Sequence, residues 1–317
     1  MWAFAAVLTR LGVNERTALF RSQQSSTATD VSAADLPVGV ATHTFDRPSA
    51  TGGVRHLAAT VWYPAVGEPA AGRSATADAP PSDRGPFPVI IYSHGGCGGL
   101  PQAIAPIATS IARTGFVFVQ FPHPGSTTDD CAADGERYVR GLLERPDDIV
   151  HVLDALGHLK GDASWRLHGV VDSDRAGIMG HSQGGQTALM MSARDSRVKA
   201  VLSISPSVAH PDTPAAAWQA IASARVPVMI IHGTRDAVWT SEGPLKAYES
   251  LPPALPRAYL EIAGMGHTPA TSDEVAVVLR YATAFFRVYV QGDRAAGAAL
   301  APGAAPPNVS MRSARFP

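Results

Sequence analysis

The sequence is poor in cysteine. Cys97 and Cys131 are the only cysteines among 317 residues, too few for a fold built on disulfides. Their separation does not match the spacing of cysteines that bind a metal. Both fall in loops predicted to follow neighbouring strands, so a disulfide between them is geometrically conceivable. The sequence leaves open whether they form one bridge or none.

The sequence also lacks an excess of charge of either sign. It has 26 Lys and Arg against 27 Asp and Glu, a formal net charge of -1, and no run rich in Lys or Arg. This balance gives no electrostatic argument for a nucleic-acid partner. We therefore expect a neutral or modestly polar small-molecule substrate. The sequence does not predict an oligomeric state.

A long apolar run is the third feature that the sequence lacks. Residues 1–8 are apolar, but no basic segment precedes them and Arg10 ends the run. The pattern predicts neither a secretory signal nor a membrane span. It leaves localisation open between the cytoplasm and export with the signal already removed.

Three regions differ in composition. Residues 1–35 end in a segment rich in Ser and Thr, and we predict an irregular lead-in. Residues 36–291 hold enough apolar residues for one sizeable domain. Residues 292–317 are rich in Ala, Pro and Gly, and we predict an irregular tail.

The central region alternates short β-rich runs with helical patterns, which indicates an α/β fold. Two strands around a turn near residue 50 predict an antiparallel pair at its N-terminal end. The later apolar runs are typical of parallel strands covered by helices on both faces. Thr271 and Glu274 match a capping box for a last helix that ends near Val290. The predicted strands are residues 38–45, 54–63, 88–93, 116–121, 198–205, 226–232 and 258–262.

Ser182 lies in the sequence Gly180-His181-Ser182-Gln183-Gly184, between an apolar run and a helical pattern. This strand, turn and helix context makes a G-x-S-x-G match a candidate nucleophile elbow. The turn is sharp, so Gly180 and Gly184 would have to lack side chains.

Candidates for the base and the acid follow in the order serine, acid, histidine. Asp236 comes just after the predicted strand 226–232, and His267 follows the strand 258–262. A serine hydroxyl needs a histidine to take its proton and an acid to orient that histidine. Asp273 and Glu274 compete with Asp236 for the acid's role, but their position suits the N-terminus of the last helix.

A tetrahedral oxyanion needs two backbone N–H donors. Gln183, directly after the serine, is one candidate. The loop after strand 88–93 is rich in glycine and reaches a substrate closely. We favour Gly96 there, with Cys97 as its rival; Cys97 is also a candidate substrate-binding residue, as are His123 and Trp239.

Four further side chains near these motifs need a role. Two of them have both a substrate-binding and a structural interpretation, and the other two have a structural interpretation alone. His123 either lines the substrate pocket or is a solvated loop histidine. Trp239 either forms an aromatic wall for an acyl group or packs its own loop. We expect His181 to pack away from the site and His94 to bond the loop backbone.

These motifs together resemble the α/β-hydrolase superfamily. Val61-Trp62-Tyr63-Pro64, His123-Pro124-Gly125-Ser126 and Arg145-Pro146-Asp147-Asp148 resemble, more narrowly, the dienelactone hydrolase-related and type II platelet-activating-factor acetylhydrolase-like group. The resemblance covers residues 38–290. It implies ester hydrolysis by a serine carboxylesterase through an acyl-enzyme, with no metal or organic cofactor.

The serine departs from dienelactone hydrolase itself, which uses a cysteine, so that enzyme's substrate does not carry over. The short segment between residues 205 and 226 has no room for a large lid, which predicts an open cleft. An open cleft favours, as an alternative, a polyester or cutinase-like substrate. A third hypothesis is a hydrolase-fold protein that binds a ligand without turnover.

Overall fold

A computed structural model of the protein describes residues 35–50, 52–68, 74–131, 141–208 and 213–317. Of Cys131 it describes the backbone alone. The predicted lead-in lies outside these residues except for Asp35, whose carboxylate accepts a hydrogen bond from Arg113 Nε at 2.7 Å.

The described strands form one sheet of ten strands. They are β1 (Val38–Pro48), β2 (Val54–Pro64), β3 (Thr76–Ala77), β4 (Phe87–Ser93), β5 (Val117–Gln120), β6 (Val171–His181), β7 (Val198–Ile204), β8 (Val228–Gly233), β9 (Arg257–Ile262) and β10 (Val309–Ala314).

Helices connect most of the strands and continue after the last parallel one. The α-helices of the described residues are α1 (Pro101–Ala112), α2 (Thr128–Cys131), α3 (Arg145–Leu159), α4 (Gln183–Met191), α5 (Ala215–Ala222), α6 (Glu242–Ser250) and α7 (Ser272–Phe286). A π-helical segment, Arg287–Gln291, extends α7, and two short 3₁₀ helices follow at Arg294–Leu300 and Pro302–Ala304.

The strand order is β10-β9-β8-β7-β6-β4-β5-β2-β1-β3. Strands β4 to β9 are parallel, whereas β1 and β2 form an antiparallel pair. The chain proceeds from β4 to β5 on one side and then returns to place β6 on the other side of β4. Loops after β4 and β6 therefore diverge at a topological switch point, where open parallel sheets bind ligands.

Helices cover the sheet on both faces. Helices α3 to α6 pack on an apolar cluster that contains Val89 and Ile91. Helices α1 and α7 pack on the opposite cluster, which contains Ile90. Because successive strand residues point to opposite faces, the run Val89-Ile90-Ile91 fills both clusters. Each such side chain contributes on the order of 1.5–3 kcal/mol through burial.

The predicted strands are confirmed, with ends that differ by no more than a few residues. The capping box is also confirmed: Thr271 Oγ1 accepts from Glu274 N at 3.2 Å, and Glu274 Oε2 accepts from Thr271 N at 3.0 Å. The last helix continues through its π segment to Gln291 and stops at Gly292, whose φ of 79° is left-handed.

The tail differs from the prediction of an irregular segment. Residues 309–314 form β10, which pairs antiparallel with β9 along its whole length. Val309 is buried, and the ring of Phe316 stacks on Phe285 at 5.9 Å between centroids. The composition hid this strand because it is short and carries little alternation. Its physical role is to cover the edge that β9 would otherwise expose.

No helix among the described residues is both long and apolar enough to cross a membrane.

Candidate active site

Ser182 is a strained residue at the junction of β6 and α4. Its backbone has φ 56° and ψ -117°, a region that L residues rarely adopt and that costs on the order of 1–3 kcal/mol. Three backbone hydrogen bonds hold it there: Ser182 N donates to Ile204 O at 2.9 Å, and the N–H groups of Gln186 and Ser207 each donate to Ser182 O at 3.0 Å. The strain turns the serine out of the strand, as the predicted elbow requires.

The two glycines of the elbow are needed because backbones approach closely. A Cβ added to Gly184 would lie 1.9 Å from Ser93 O, and one added to Gly180 would lie 2.1 Å from Gly184 O. No side chain fits at either distance. The sequence prediction for these two positions is therefore confirmed.

Asp236 and His267 meet beside the elbow. His267 Nδ1 donates to Asp236 Oδ2 at 2.8 Å, and the carboxylate is fully buried while the imidazole is 18% exposed. The N–H groups of Val238 and Trp239 donate to Asp236 Oδ1 at 2.8 and 2.9 Å. Burial acts to raise the pKa of Asp236, but the hydrogen bond and charge of His267 and these amides outweigh it and lower the pKa. Asp236 therefore stays ionised, with His267 Nε2 left to accept a proton.

His181 contacts His267 and does not point away from the site. His181 Nε2 donates to the carbonyl oxygen of His267 at 2.8 Å, and the two rings lie 4.8 Å apart between centroids. Burial, and then the neighbouring His267, lowers the pKa of His181 to about 3. The neutral ring holds the backbone of His267 against the residue that precedes Ser182, which corrects the expectation of simple outward packing.

His232 lies behind Asp236. Its ring is fully buried, with Nδ1 3.8 Å from Asp236 Oδ2. Burial lowers the pKa of His232, so this imidazole adds polarity beside the carboxylate without adding a positive charge.

The loop after β4 lies against the elbow. A Cβ added to Gly95 would lie 3.4 Å from Ser182 Cβ, so the glycine-rich loop approaches the serine as closely as its composition predicts. Gly96 and Cys97 follow at partly exposed positions, and Gln183 begins α4, where the helix dipole is positive. These positions suit donors to an oxyanion.

Cys97 is disulfide-bonded and has a left-handed φ of 55°. Its carbonyl oxygen accepts a hydrogen bond from Thr128 Oγ1 at 2.7 Å. The loop after β4 is thus tied to α2. Cys131 is the other cysteine of the bridge considered from the sequence, and its side chain lies outside the described atoms.

His123 is neither a solvated loop residue nor part of an open pocket wall, because its side chain is completely buried. One ring nitrogen bonds Ser93 Oγ at 3.0 Å and the other bonds Asp148 Oδ2 at 2.8 Å. Burial lowers its pKa to about 4 in spite of the hydrogen bond to Asp148. This places His123 in a buried network beneath the loop and corrects its assignment to substrate binding.

The same network contains two arginines. Arg47 and Arg55 both donate to Asp148, through contacts of 2.6–2.8 Å, and Arg47 also pairs with Glu144. Burial acts to raise the pKa of Asp148, but hydrogen bonds from His123 and Arg55 hold it well below its usual range. The network joins β1 and β2 to the start of α3.

His94 bonds the loop backbone, as predicted. Its Nδ1 contacts Gly95 O at 2.7 Å, and its Nε2 accepts from His123 N at 2.9 Å. Trp239 is partly buried, and its backbone N–H donates to Asp236. That its ring forms a wall of the substrate pocket stays a prediction.

Sequence reasoning missed two further features of the site. One is the contact from His181 to His267, which depends on how β6 and the loop after β9 converge. The other is the burial of Arg145. The sequence predicted its position in the first turn of a helix, beside Pro146. Charged side chains are mostly exposed, so the sequence gave no sign that this one is buried. Among the described residues, no group of three His, Cys, Asp or Glu side chains is arranged to hold a metal ion.

A strained serine after one parallel strand, with an acid and a histidine after two later ones, is the arrangement of an α/β-hydrolase. The sheet order and the helices on both faces agree with that fold. Within it the chain belongs to the PET hydrolase-like family, which it matches over residues 138–314.

Individual relatives are similar over shorter stretches. The chain is 30% identical to Cutinase 2 of Thermobifida cellulosilytica over 165 residues, 51% of this chain and 59% of the relative. It is 30% identical to Cutinase cut1 of Thermobifida fusca over 165 residues, 51% of this chain and 48% of the relative. It is 27% identical to a bis(hydroxyethyl) terephthalate hydrolase of Streptomyces coelicolor over 154 residues, 48% of this chain and 46% of the relative. The chain thus spans less than two thirds of the length of each.

Proposed function

We propose that the protein is a serine carboxylic-ester hydrolase that works through an acyl-enzyme. The observation that carries the proposal is the hydrogen bond of 2.8 Å between His267 and the fully buried carboxylate of Asp236, beside the strained Ser182. A carboxylate held ionised fixes the imidazole in the tautomer that accepts a proton at Nε2.

In the proposed mechanism Ser182 Oγ attacks the ester carbonyl while its proton passes to His267 Nε2. Asp236 stabilises the resulting imidazolium. The N–H groups of Gly96 and Gln183 bind the tetrahedral oxyanion, whose collapse expels the alcohol with the proton from His267. Water, activated by His267, then attacks the acyl-enzyme, and the acid leaves as Ser182 regains its proton.

Turnover of a short p-nitrophenyl ester by the full chain tests this proposal. We expect saturable turnover by the parent protein and a loss of at least about 10³-fold in kcat for Ser182→Ala. Ser207→Ala is the matched control. It removes a hydroxyl near the elbow but keeps the hydrogen bond from Ser207 N to Ser182 O. A parent with no turnover that binds an ester, and binds it equally well as Ser182→Ala, would favour the ligand-binding hypothesis.

The second candidate is a polymeric ester as the substrate. It is supported by the PET hydrolase-like family and by relatives named as cutinases and as a bis(hydroxyethyl) terephthalate hydrolase. The described residues between β7 and β8 contain only the short α5, Ala215–Ala222, which agrees with the expected open cleft. Release of acid from a polyester film, measured beside hydrolysis of the soluble aryl ester, separates the two. Activity on the aryl ester alone would favour the small-substrate interpretation.

A further inference from the structure

Arg145 is an unusual residue for its position. Its side chain is fully buried, and it is the largest such side chain among the described residues. Burial of a charge is costly unless hydrogen bonds compensate it. Arg145 also lies in the first turn of α3, where the positive end of the helix dipole disfavours a cation. Its contacts must therefore compensate both costs.

The guanidinium binds the backbone of the loop after β4. Nη1 donates to His94 O, and Nη2 donates to Gly95 O at 3.3 Å. Nε and Nη2 also donate to Ser126 Oγ at 3.2 and 3.0 Å. Arg145 thus holds two consecutive carbonyl groups from the side of the loop that faces the protein interior.

A second donor holds the same carbonyl of Gly95. His94 Nε2 accepts a hydrogen bond from His123 N, so the proton of the neutral ring is on Nδ1, which donates to Gly95 O at 2.7 Å. Burial and then the charge of Arg145 keep the pKa of His94 well below its ordinary value. Gly95 O is therefore fixed by two donors.

The orientation of that carbonyl determines the direction of the next N–H. In a planar trans peptide the C=O of Gly95 and the N–H of Gly96 point in opposite directions. Gly95 faces Ser182 closely, with an added Cβ only 3.4 Å from Ser182 Cβ. With the carbonyl directed to Arg145, the N–H of Gly96 is directed away from the interior, beside the serine.

We infer that Arg145 is a positioning residue that aims the Gly96 N–H at the oxyanion formed on Ser182. The inference rests on the proposed function, since it assigns a role within that site. Arg145 does not touch the substrate; it acts through the Gly95–Gly96 peptide. It also favours Gly96 over Cys97 as the second donor.

The test compares Arg145→Lys with the parent on a p-nitrophenyl ester and with an aryl trifluoromethyl ketone, which forms a tetrahedral oxyanion on the serine. A lysine keeps the charge but cannot hold both carbonyls in one fork. We expect kcat to fall about 10- to 100-fold, since a misplaced group costs up to that much. The Ki of the ketone should rise by a similar factor, with KM within about threefold.

Arg287→Lys is the matched control, because Arg287 is also buried but pairs with Asp293 at the end of α7. It should lower the melting temperature without changing kcat or Ki. Ser126→Ala is the milder second variant, and it serves if Arg145→Lys does not fold. It removes the acceptor of two Arg145 contacts and should shift kcat and Ki together by about 3- to 10-fold.

The inference is overturned if a folded Arg145→Lys or Ser126→Ala protein keeps both kcat and Ki within twofold of the parent. It is also overturned if kcat falls while the Ki of the ketone stays constant. Failure of the proposed function looks different, because the parent itself would then neither turn over esters nor bind the ketone covalently.

Discussion

His181 and His267 are joined by a hydrogen bond from His181 Nε2 to the carbonyl oxygen of His267, 2.8 Å long. The residue before the proposed nucleophile thus fixes the backbone of the proposed base. The end of β6 and the loop after β9, which are far apart in sequence, are joined through this contact. Its strength rests on a neutral, largely buried ring, since burial lowers the pKa of His181 to about 3.

Replacing His181 tests this coupling. His181→Ala removes the donor, and we expect kcat to fall about tenfold, the equivalent of one hydrogen bond of about 1.4 kcal/mol. His181→Gln, whose amide can donate to the same carbonyl, should recover most of the loss. Ester turnover and thermal melts of both variants provide the measurement. Equal kcat values for the parent and His181→Ala would show that the contact does not position His267.

Asp236 and Asp273 are two of the three candidate acids, and the structure separates them; Glu274, the third, is held in the capping box of α7. Asp236→Asn should lower kcat by about 10³- to 10⁴-fold, because an amide does not fix the same imidazole tautomer or stabilise its cation. Asp273→Asn, at an exposed position in the first turn of α7, should change kcat less than twofold. Steady-state kinetics at neutral pH distinguishes the variants. A large effect of Asp273→Asn with a small one of Asp236→Asn would reassign the acid.

Gly184 is required by its contact with β4. Gly184→Ala would place a methyl group 1.9 Å from Ser93 O, and the backbone cannot yield as a flexible side chain would. We expect a loss of at least about 2 kcal/mol in the free energy of unfolding, together with a loss of activity. Gly303→Ala, where an added Cβ meets nothing within 4 Å, should leave both unchanged. Urea titrations of the two variants measure the difference, and equal midpoints would contradict the close approach.

Buried histidines give stability a defined pH dependence, and burial lowers the pKa of His181 and His232 in the same direction as those of His94 and His123. Burial lowers the pKa of His123 to about 4 and that of His94 well below its usual value, whereas both protonate near pH 6.5 in the unfolded chain. Below pH 6.5 the unfolded state binds more protons. The free energy of unfolding should therefore fall as pH is lowered from 6.5 to 4, by about 1.4 kcal/mol per pH unit for each histidine.

Urea unfolding at pH 7.5, 6.0 and 5.0 measures this slope. His123→Gln should reduce the slope of the free energy of unfolding against pH by the contribution of one histidine. His158→Gln, at an exposed position, should leave that slope unchanged. A flat profile between pH 6.5 and 5, or equal slopes for the parent and His123→Gln, would contradict the assignment of His123 as a buried neutral group.

Features with a local signal were predictable from the sequence. The elbow, the strands rich in Val and Ile, and the capping box at Thr271 each depend on residues close together in the chain. Strand-end positions for Asp236 and His267 were also predictable, because parallel strands bring their carboxyl ends to one edge.

The features missed in the sequence depend on distant packing. His123 became a buried residue because Asp148, on α3, reaches it beneath the loop. Strand β10 formed because β9 offers an edge, although the composition of the tail gave little sign of a strand. No pattern within one segment reports either event.

The central claim is that Ser182 is the nucleophile, and covalent labelling tests it most directly. The folded parent protein is treated with a fluorophosphonate, digested and analysed by mass spectrometry, with Asp236→Asn and Ser182→Ala treated in parallel. The account predicts one adduct on Ser182 in the parent, much slower labelling of Asp236→Asn and none of Ser182→Ala at that peptide. An unlabelled Ser182 in folded parent protein that hydrolyses esters, or an adduct on another residue that accounts for the loss of activity, would contradict it.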